Sequence, residues 1–231
     1  MSASFPAGSS AFQQDLAATA RHLATVLPAE AAHVIDAGIG SVEAAGVARQ
    51  ALQAGQVAPH FSLPGADGQP VALADLLQKG PVVLFFYRGN WCPYCNVQLR
   101  AYQQALPELA LRGATLVAVS PQTPDFTGLT VSEKALTFPV LSDVGNLVAR
   151  QYGLAYAVGS DVAGTLRSLG IDLAAFNGTA ADELPLTATF LIGTDGRVAH
   201  TWAEASFKHR ADPADILRAL DQLPVPQVAS L

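Results

Sequence analysis

Two cysteines, one methionine and five scattered histidines are the only sulfur and imidazole groups in these 231 residues. A structural zinc site takes about four ligands, usually from paired Cys or His motifs, and an iron–sulfur cluster takes four thiolates. With His22, His33, His60, His200 and His209 spread along the chain, neither metal centre has a donor set, so no metal and no cofactor is expected. Long apolar runs are also missing, for nothing approaches the ~20 residues of a membrane span. Basic charge is scarce: 13 Lys and Arg stand against 19 Asp and Glu, a formal net charge of −6. Nucleic acid and anionic membrane would both be repelled, which leaves small molecules and proteins as partners. The first cation is Arg21, and Met1–Ser10 lacks the charged and apolar regions of a secretory signal. The expected compartment is therefore the reducing cytoplasm.

What the chain does have is 50% apolar residues, enough for one good core with an appendage, and a single stretch that concentrates chemistry, Pro81 to Leu106. Val82 to Tyr87 is an unbroken apolar, β-favouring run that suits a strand buried on both faces. After Cys95 the period changes, with Leu99, Tyr102 and Leu106 at helical spacing and Pro93 where a first helical turn tolerates proline. The Cys92-Pro93-Tyr94-Cys95 motif thus falls where a buried strand gives way to a helix. Unpaired N–H groups at a helix start carry roughly half a positive charge, which favours a thiolate at Cys92. Two cysteines at this spacing can also close a disulfide on each other, one attacking and the other resolving. Two inert packed cysteines are the plain alternative, and Trp91 and Pro93 at a strand-to-helix turn weigh against it.

Residues 1–54 read as a helical extension, Ala-rich, broken near Pro28 and at Gly38 and Gly40, with Leu16, Leu23, Val26 and Leu27 as its apolar stripe. It is expected to cap the main domain, with a dimerisation arm, and so a homodimer, as the alternative. Residues 55–231 form that domain. Val57–Leu63 and Val71 onward read as strands, the second running into a short helix by Leu77. Pro107 is expected to break or kink the helix that starts at Pro93. Thr115–Val119 follows as a strand parallel to the first, and Phe138–Leu141 as another. Asn146–Tyr152 reads as a helix stopped at Gly153, and residues 154–183 as an insertion with helical spacing at Leu166, Leu169 and Leu173. A hairpin over residues 189–202 and a helix over Pro213–Leu223, capped by Asp212, close the domain.

This arrangement resembles the thioredoxin fold, and more closely the peroxiredoxin-like branch of the alkyl hydroperoxide reductase/thiol-specific antioxidant (AhpC/TSA) family. The resemblance covers about residues 55–223. Besides the CxxC it rests on Val57-Ala58-Pro59-His60-Phe61, Val117-Ala118-Val119-Ser120-Pro121-Gln122, Phe138-Pro139-Val140-Leu141-Ser142-Asp143 and Thr189-Phe190-Leu191-Ile192-Gly193 through Gly196, in that order. It implies an α/β fold with a central mixed sheet flanked by helices. Laying the peroxiredoxin motif Pro-x-x-x-Thr-x-x-Cys on the chain puts Arg88 on the proline, Cys92 on the threonine and Cys95 on the peroxide-attacking cysteine. Thioredoxin logic reverses the roles of Cys92 and Cys95, and both registers stay open at this point.

Candidate catalytic residues are therefore Cys92, Cys95 and Arg88, the last being the one cation near the pair in sequence. Trp91 and Tyr94 are candidates to shield the sulfurs. Ser120 ends a strand on the side where ligands bind in open α/β sheets, and either touches substrate or caps its own loop. Thr187 stands where thioredoxins place a cis-proline and many peroxiredoxins an arginine, and is the candidate residue against the disulfide. Phe86 falls where thioredoxins bury an Asp. The implied function is a thiol peroxidase cycling between dithiol and disulfide, fed by a thioredoxin-, glutaredoxin- or glutathione-type donor. A thiol-disulfide reductase and a non-enzymatic redox-sensing module are the alternatives. Because the motif threonine and the usual arginine are both absent, peroxidase activity is expected to be modest unless Arg88 replaces them.

Overall fold

The computed structural model describes residues 10–223. Two helices come first, α1 (Ala11–Val26) and α2 (Ala29–Ala44). Ser10 caps α1 by accepting the Gln13 N–H at 3.1 Å, and Pro28 separates the two helices. Phe12 and Leu16 of α1 are buried in the main core, Leu23 packs against it, and Val26 is exposed rather than part of the stripe. The break expected at Gly38 and Gly40 does not occur, since α2 runs through both. Gly38 is instead a close approach, where a Cβ would stand 2.6 Å from Val162 Cγ2.

A small antiparallel ribbon pairs β1 (Ser62–Pro64) with β2 (Pro70–Ala72), and α3 (Leu73–Leu77) follows directly. The strand expected from Val57 starts only at Ser62. Before it, Ala58 N–H bonds the Gly196 carbonyl and Val57 bridges Arg197, so this segment latches the far hairpin turn instead of joining a ladder. Pro59, with no N–H to give, suits that interrupted edge.

The five-stranded sheet has the order β5 (Val140–Ser142), β4 (Thr115–Ser120), β3 (Val82–Phe86), β8 (Ala188–Ile192), β9 (Val198–Ala203). Its centre is β3 (Val82–Phe86), every residue of which is fully buried. Burying a Val, Leu or Phe side chain stabilises by about 1.5–3 kcal/mol, so an all-apolar strand with both faces covered anchors the fold. From β3 the chain enters α4 (Pro93–Leu111) and returns as β4 (Thr115–Ser120), parallel to β3. Pro107 does not end α4; the helix continues one more turn, fastened by buried Leu109 and by Arg112, which bonds Glu108 and Asp221. After α5 (Pro124–Lys134) comes β5 (Val140–Ser142), also parallel, and then α6 (Leu147–Gln151).

The insertion is clipped at its base by β6 (Ala155–Ala157), which pairs antiparallel with β7 (Glu183–Pro185). Between these strands the expected single helix is two, α7 (Ser160–Ser168) and α8 (Leu173–Asn177). Gly170, at φ +82°, makes the corner. The antiparallel hairpin β8 (Ala188–Ile192) and β9 (Val198–Ala203) completes the sheet beside β3, and α9 (Pro213–Leu220) closes the chain. Asp212 caps α9 by accepting the Ala214 N–H at 2.9 Å. What the sequence predicts for residues 1–9 and 224–231 lies outside the described residues.

Gly153 holds α6 to the stretch after α2: its φ is +71°, and a Cβ there would stand 2.0 Å from the Gln50 carbonyl oxygen. Gly153→Ala combines left-handed strain with a backbone clash, so it should lower stability by about 2–4 kcal/mol, read as a shift in urea midpoint at unchanged slope. A change under ~1 kcal/mol would mean that this contact relaxes freely.

Candidate active site around Cys92 and Cys95

Beyond β3 the chain runs through buried Tyr87 and Arg88 to Gly89, whose φ is +153°. A Cβ at Gly89 would stand 2.4 Å from Trp91 Nε1 and 2.8 Å from Gln122 Oε1, so only glycine passes this corner. Gln122, fully buried, fixes the turn by accepting the Asn90 N–H and donating to Thr130 Oγ1 at 3.2 Å. Cys92 is the N-cap of α4, its N–H bonded to the Gly89 carbonyl at 3.1 Å, and Cys95 sits one turn into the helix. Both are free thiols, 1% and 0% exposed.

The electrostatics run opposite to the expectation that the helix start favours a thiolate at Cys92. At Cys95 burial pushes the thiol up, but the Cys92 S–H, the Arg210 guanidinium, the Arg88 backbone N–H and the Arg88 charge together bring it down to about 5. Arg210 Nη2 lies 3.5 Å from Cys95 Sγ. At Cys92 burial raises the thiol, and the hydrogen bond to Cys95 and that neighbour's negative charge raise it further. A helix end supplies a partial charge; a guanidinium in contact supplies a whole one, and here it contacts Cys95.

Arg88 sends its guanidinium between two rings, with Cζ 4.7 Å from the Trp91 centroid and 4.0 Å from that of Phe207. Its Nε has no hydrogen-bond partner among the described residues, and the same holds for Arg210 Nε and for Thr187 Oγ1. Thr187 is buried immediately before β8, whose first residue Ala188 pairs with Phe86, so it belongs to the same end of the sheet as the Arg88 turn. Tyr94 packs edge-on to Phe207 at 5.9 Å, and with Trp91 it lines the cavity that reaches Cys92. Ser120 is fully buried, its Oγ accepting the Gln122 N–H at 3.3 Å; it caps its own loop and is not among the residues lining the cavities beside the cysteines.

Arg210 is what sequence reasoning missed. It lies 115 residues from Cys95 on residues 204–212 between β9 and α9, which also carry Phe207. Nothing in the local pattern marks it, since the neighbouring His209 pairs with Glu204 at 2.7 Å and His200 stacks on Trp202, both exposed. From the insertion, Leu166, Leu169 and Ile171 line a pocket of about 350 Å³ that reaches Cys92. Leu23 and Ile35, from α1 and α2, line the same pocket.

A profile of the AhpC/TSA family matches residues 54–201, more than half of the chain. Peroxiredoxin Bcp of Escherichia coli (strain K12) is 34% identical over 103 residues, 45% of this chain and 65% of that protein, so the chain spans a little less than two thirds of that relative's length. A putative peroxiredoxin of Mycobacterium tuberculosis (strain ATCC 25618 / H37Rv) is 34% identical over 120 residues, 51% of this chain and 76% of that protein. Among solved structures, Peroxidoxin BcpB from Mycobacterium tuberculosis superimposes with a TM-score of 0.61 at 25% identity, covering 75% of this chain and 99% of the other. Xanthomonas campestris Peroxiredoxin Q gives 0.55 at 19% identity over 70% and 89%, a likeness of fold. With that thioredoxin-like architecture, and a matched segment that contains the whole strand–CxxC–helix unit, the chain belongs to the AhpC/TSA family.

Proposed function

We propose that this protein is a thiol peroxidase in which Cys95 attacks the peroxide and Cys92 resolves the product. The observation that carries the reading is the Arg210 guanidinium 3.5 Å from Cys95 Sγ, together with a backbone N–H from Arg88 on the same sulfur. The Cys95 thiolate attacks one oxygen of the O–O bond, which breaks with both its electrons on the leaving oxygen. That oxygen takes a proton and departs as water or an alcohol, and Cys95 becomes a sulfenic acid. The Cys92 thiol, three residues away and already hydrogen-bonded to Cys95, displaces hydroxide from that sulfur, so a disulfide forms and one water leaves. An external thiol donor then returns two electrons.

Charge builds on the leaving oxygen in the first step, and donors held ready there lower the barrier. Arg88 and Arg210 each keep an unpartnered Nε beside the sulfurs. They supply what the motif threonine and the arginine at the Thr187 position would otherwise provide, so the expectation of modest activity loses its basis. Both sulfurs are almost completely buried, which favours a small oxidant over a protein disulfide as the substrate. The E. coli and Mycobacterium tuberculosis relatives carry the name peroxiredoxin, in line with this reading. The cytoplasm, where both thiols stay reduced, is the matching compartment; no helix among the described residues is long and apolar enough to cross a membrane.

Single-turnover oxidation by hydrogen peroxide tests the assignment. Cys92→Ser should consume one equivalent and hold a sulfenic acid at residue 95 that dimedone captures, whereas Cys95→Ser should consume none. One equivalent captured at Cys92 in the latter would reverse the roles. Arg210→Met should slow the oxidation about a hundredfold, the usual effect of removing one such donor; a change under threefold would take Arg210 out of the reaction.

The pH dependence has a definite sign. Deprotonation creates the nucleophile, so iodoacetamide should modify Cys95 with a rate that rises through about pH 5 and is level by neutrality. In Arg210→Met that rise should move toward the ordinary thiol range near 8.5. Mass mapping of the residue-95 adduct across the pH range checks both, and a Cys95 labelling rate that rises only near the ordinary thiol range in the unaltered protein would overturn the electrostatic reading.

A further inference from the structure

The oxidised form contains a Cys92–Cys95 disulfide on the reading above, and reducing it requires a thiolate to attack one of its two sulfurs. Two observations choose the same one. Of the two sulfurs only Cys92 lines the 350 Å³ pocket; Cys95 borders neither that pocket nor the neighbouring cavity of about 790 Å³ between α2 and α7. Attack at Cys92 also expels Cys95, and a disulfide opens faster when its leaving sulfur is the better-stabilised thiolate. Arg210 and the Arg88 N–H are in place to receive that charge.

The pocket then says who the donor is. Its walls are mainly apolar, with Leu23, Ile35, Trp91, Leu169 and Phe207 around Cys92. Two of these come from α1 and α2, which lie outside the family-matched segment, and one comes from the insertion. At its rim Lys208 pairs with Asp36 at 2.5 Å, joining the loop before α9 to α2. The volume is at the small end of the ~300–1,000 Å³ of small-molecule sites. A protein donor would have to deliver its cysteine past these helices to a sulfur that is 1% exposed.

We propose that the electron donor is a small thiol with a compact apolar body, which enters the pocket formed by α1, α2 and α7 and attacks Cys92. Its thiolate forms an S–S bond to Cys92 while the Cys92–Cys95 bond breaks and Cys95 leaves as thiolate. A second thiol of the same kind, as thiolate, attacks the donor sulfur of that mixed disulfide, giving the donor's disulfide and returning Cys92, which takes a proton. Two thiols are oxidised by two electrons in all, and the protein disulfide is reduced by two.

The test uses protein oxidised with diamide, so it does not need peroxide turnover; failure of hydrogen peroxide to oxidise the pair would sink the peroxidase reading and leave this experiment intact. Reduction is followed by acid quench and mass, comparing benzyl mercaptan with 2-mercaptoethanol at equal thiolate concentration, and with thioredoxin. Benzyl mercaptan should be at least tenfold faster than 2-mercaptoethanol and should saturate, and benzyl alcohol, which lacks the thiol, should inhibit it competitively. Ala24→Trp, at an exposed position on the pocket wall, should bring the ratio of the two thiol rates to near one. Two outcomes would overturn the proposal. One is a ratio near one in the unaltered protein with micromolar thioredoxin faster than either thiol. The other is an Ala24→Trp protein that keeps the ratio but loses tenfold in oxidation by cumene hydroperoxide, which would make the pocket a site for the oxidant's organic group. Should Ala24→Trp fail to fold, saturation and benzyl alcohol competition in the unaltered protein decide alone.

Discussion

A thiolate buried at Cys95 would be untenable without cations in contact with it, and much of the surrounding structure follows from meeting that constraint. Removing an ion from water costs several kcal/mol unless a partner and hydrogen bonds replace the solvent. Arg210 and the Arg88 N–H are placed to do this for the Cys95 sulfur, which the Arg210 guanidinium meets at 3.5 Å. Among the described residues neither Arg88 nor Arg210 forms an ion pair with a carboxylate. Arg88 is held by aromatic faces, which attract a cation without discharging it. Had Asp or Glu occupied the place of Trp91 or Phe207, the guanidinium would be neutralised and its pull on the thiolate weakened.

The position of Arg210 depends on parts of the chain that have no chemistry of their own. Its neighbour Ala211 is buried, and the Ala211 carbonyl accepts the Tyr102 hydroxyl at 3.0 Å, which ties the loop to α4. Asp212 caps α9 and also accepts from Ser10, the cap of α1, so the starts of the first and last helices share one carboxylate. Phe12 of α1 packs on Tyr102 with ring centroids 6.5 Å apart. The Lys208–Asp36 pair is solvent-exposed and worth about 0–1 kcal/mol, so the apolar contacts carry most of the attachment of the extension.

The parts legible in the sequence are those whose causes are local. β3 declared itself because a strand buried on both faces needs an unbroken apolar run, and α4 because Pro93, Leu99 and Tyr102 combine a start signal with a period. Errors came where a distant neighbour decided. Gly38 looked like a helix break and is a helix-to-helix contact with Val162; Pro107 looked like an end, but buried Leu109 and the Arg112 pairs carry α4 past it. The site divides in the same way. Cys92, Cys95, Trp91, Tyr94 and Arg88 are contiguous and were visible, whereas Arg210 reaches Cys95 only because the β8–β9 hairpin brings the following loop back over the start of α4. At Cys92 the helix start offers only a partial charge, whereas the whole charge of Arg210, from a distant part of the chain, stands beside Cys95.

Cys92 occupies the motif's threonine position, and its chemistry shows what such a replacement can do. A threonine hydroxyl there offers a hydrogen bond and nothing more. A thiol kept protonated, as burial and the adjacent thiolate keep Cys92, also donates a hydrogen bond to Cys95 and in addition brings the second sulfur into the first turn of the same helix. The two requirements support each other: the more firmly Cys95 holds its negative charge, the more firmly Cys92 keeps its proton. In the cycle proposed above, oxidation of Cys95 to the sulfenic acid would remove its negative charge, and with it one of the causes that raise Cys92. In that cycle Cys92 would become easier to deprotonate just when its thiolate is needed, a consequence of placing the two sulfurs in one hydrogen-bonded pair.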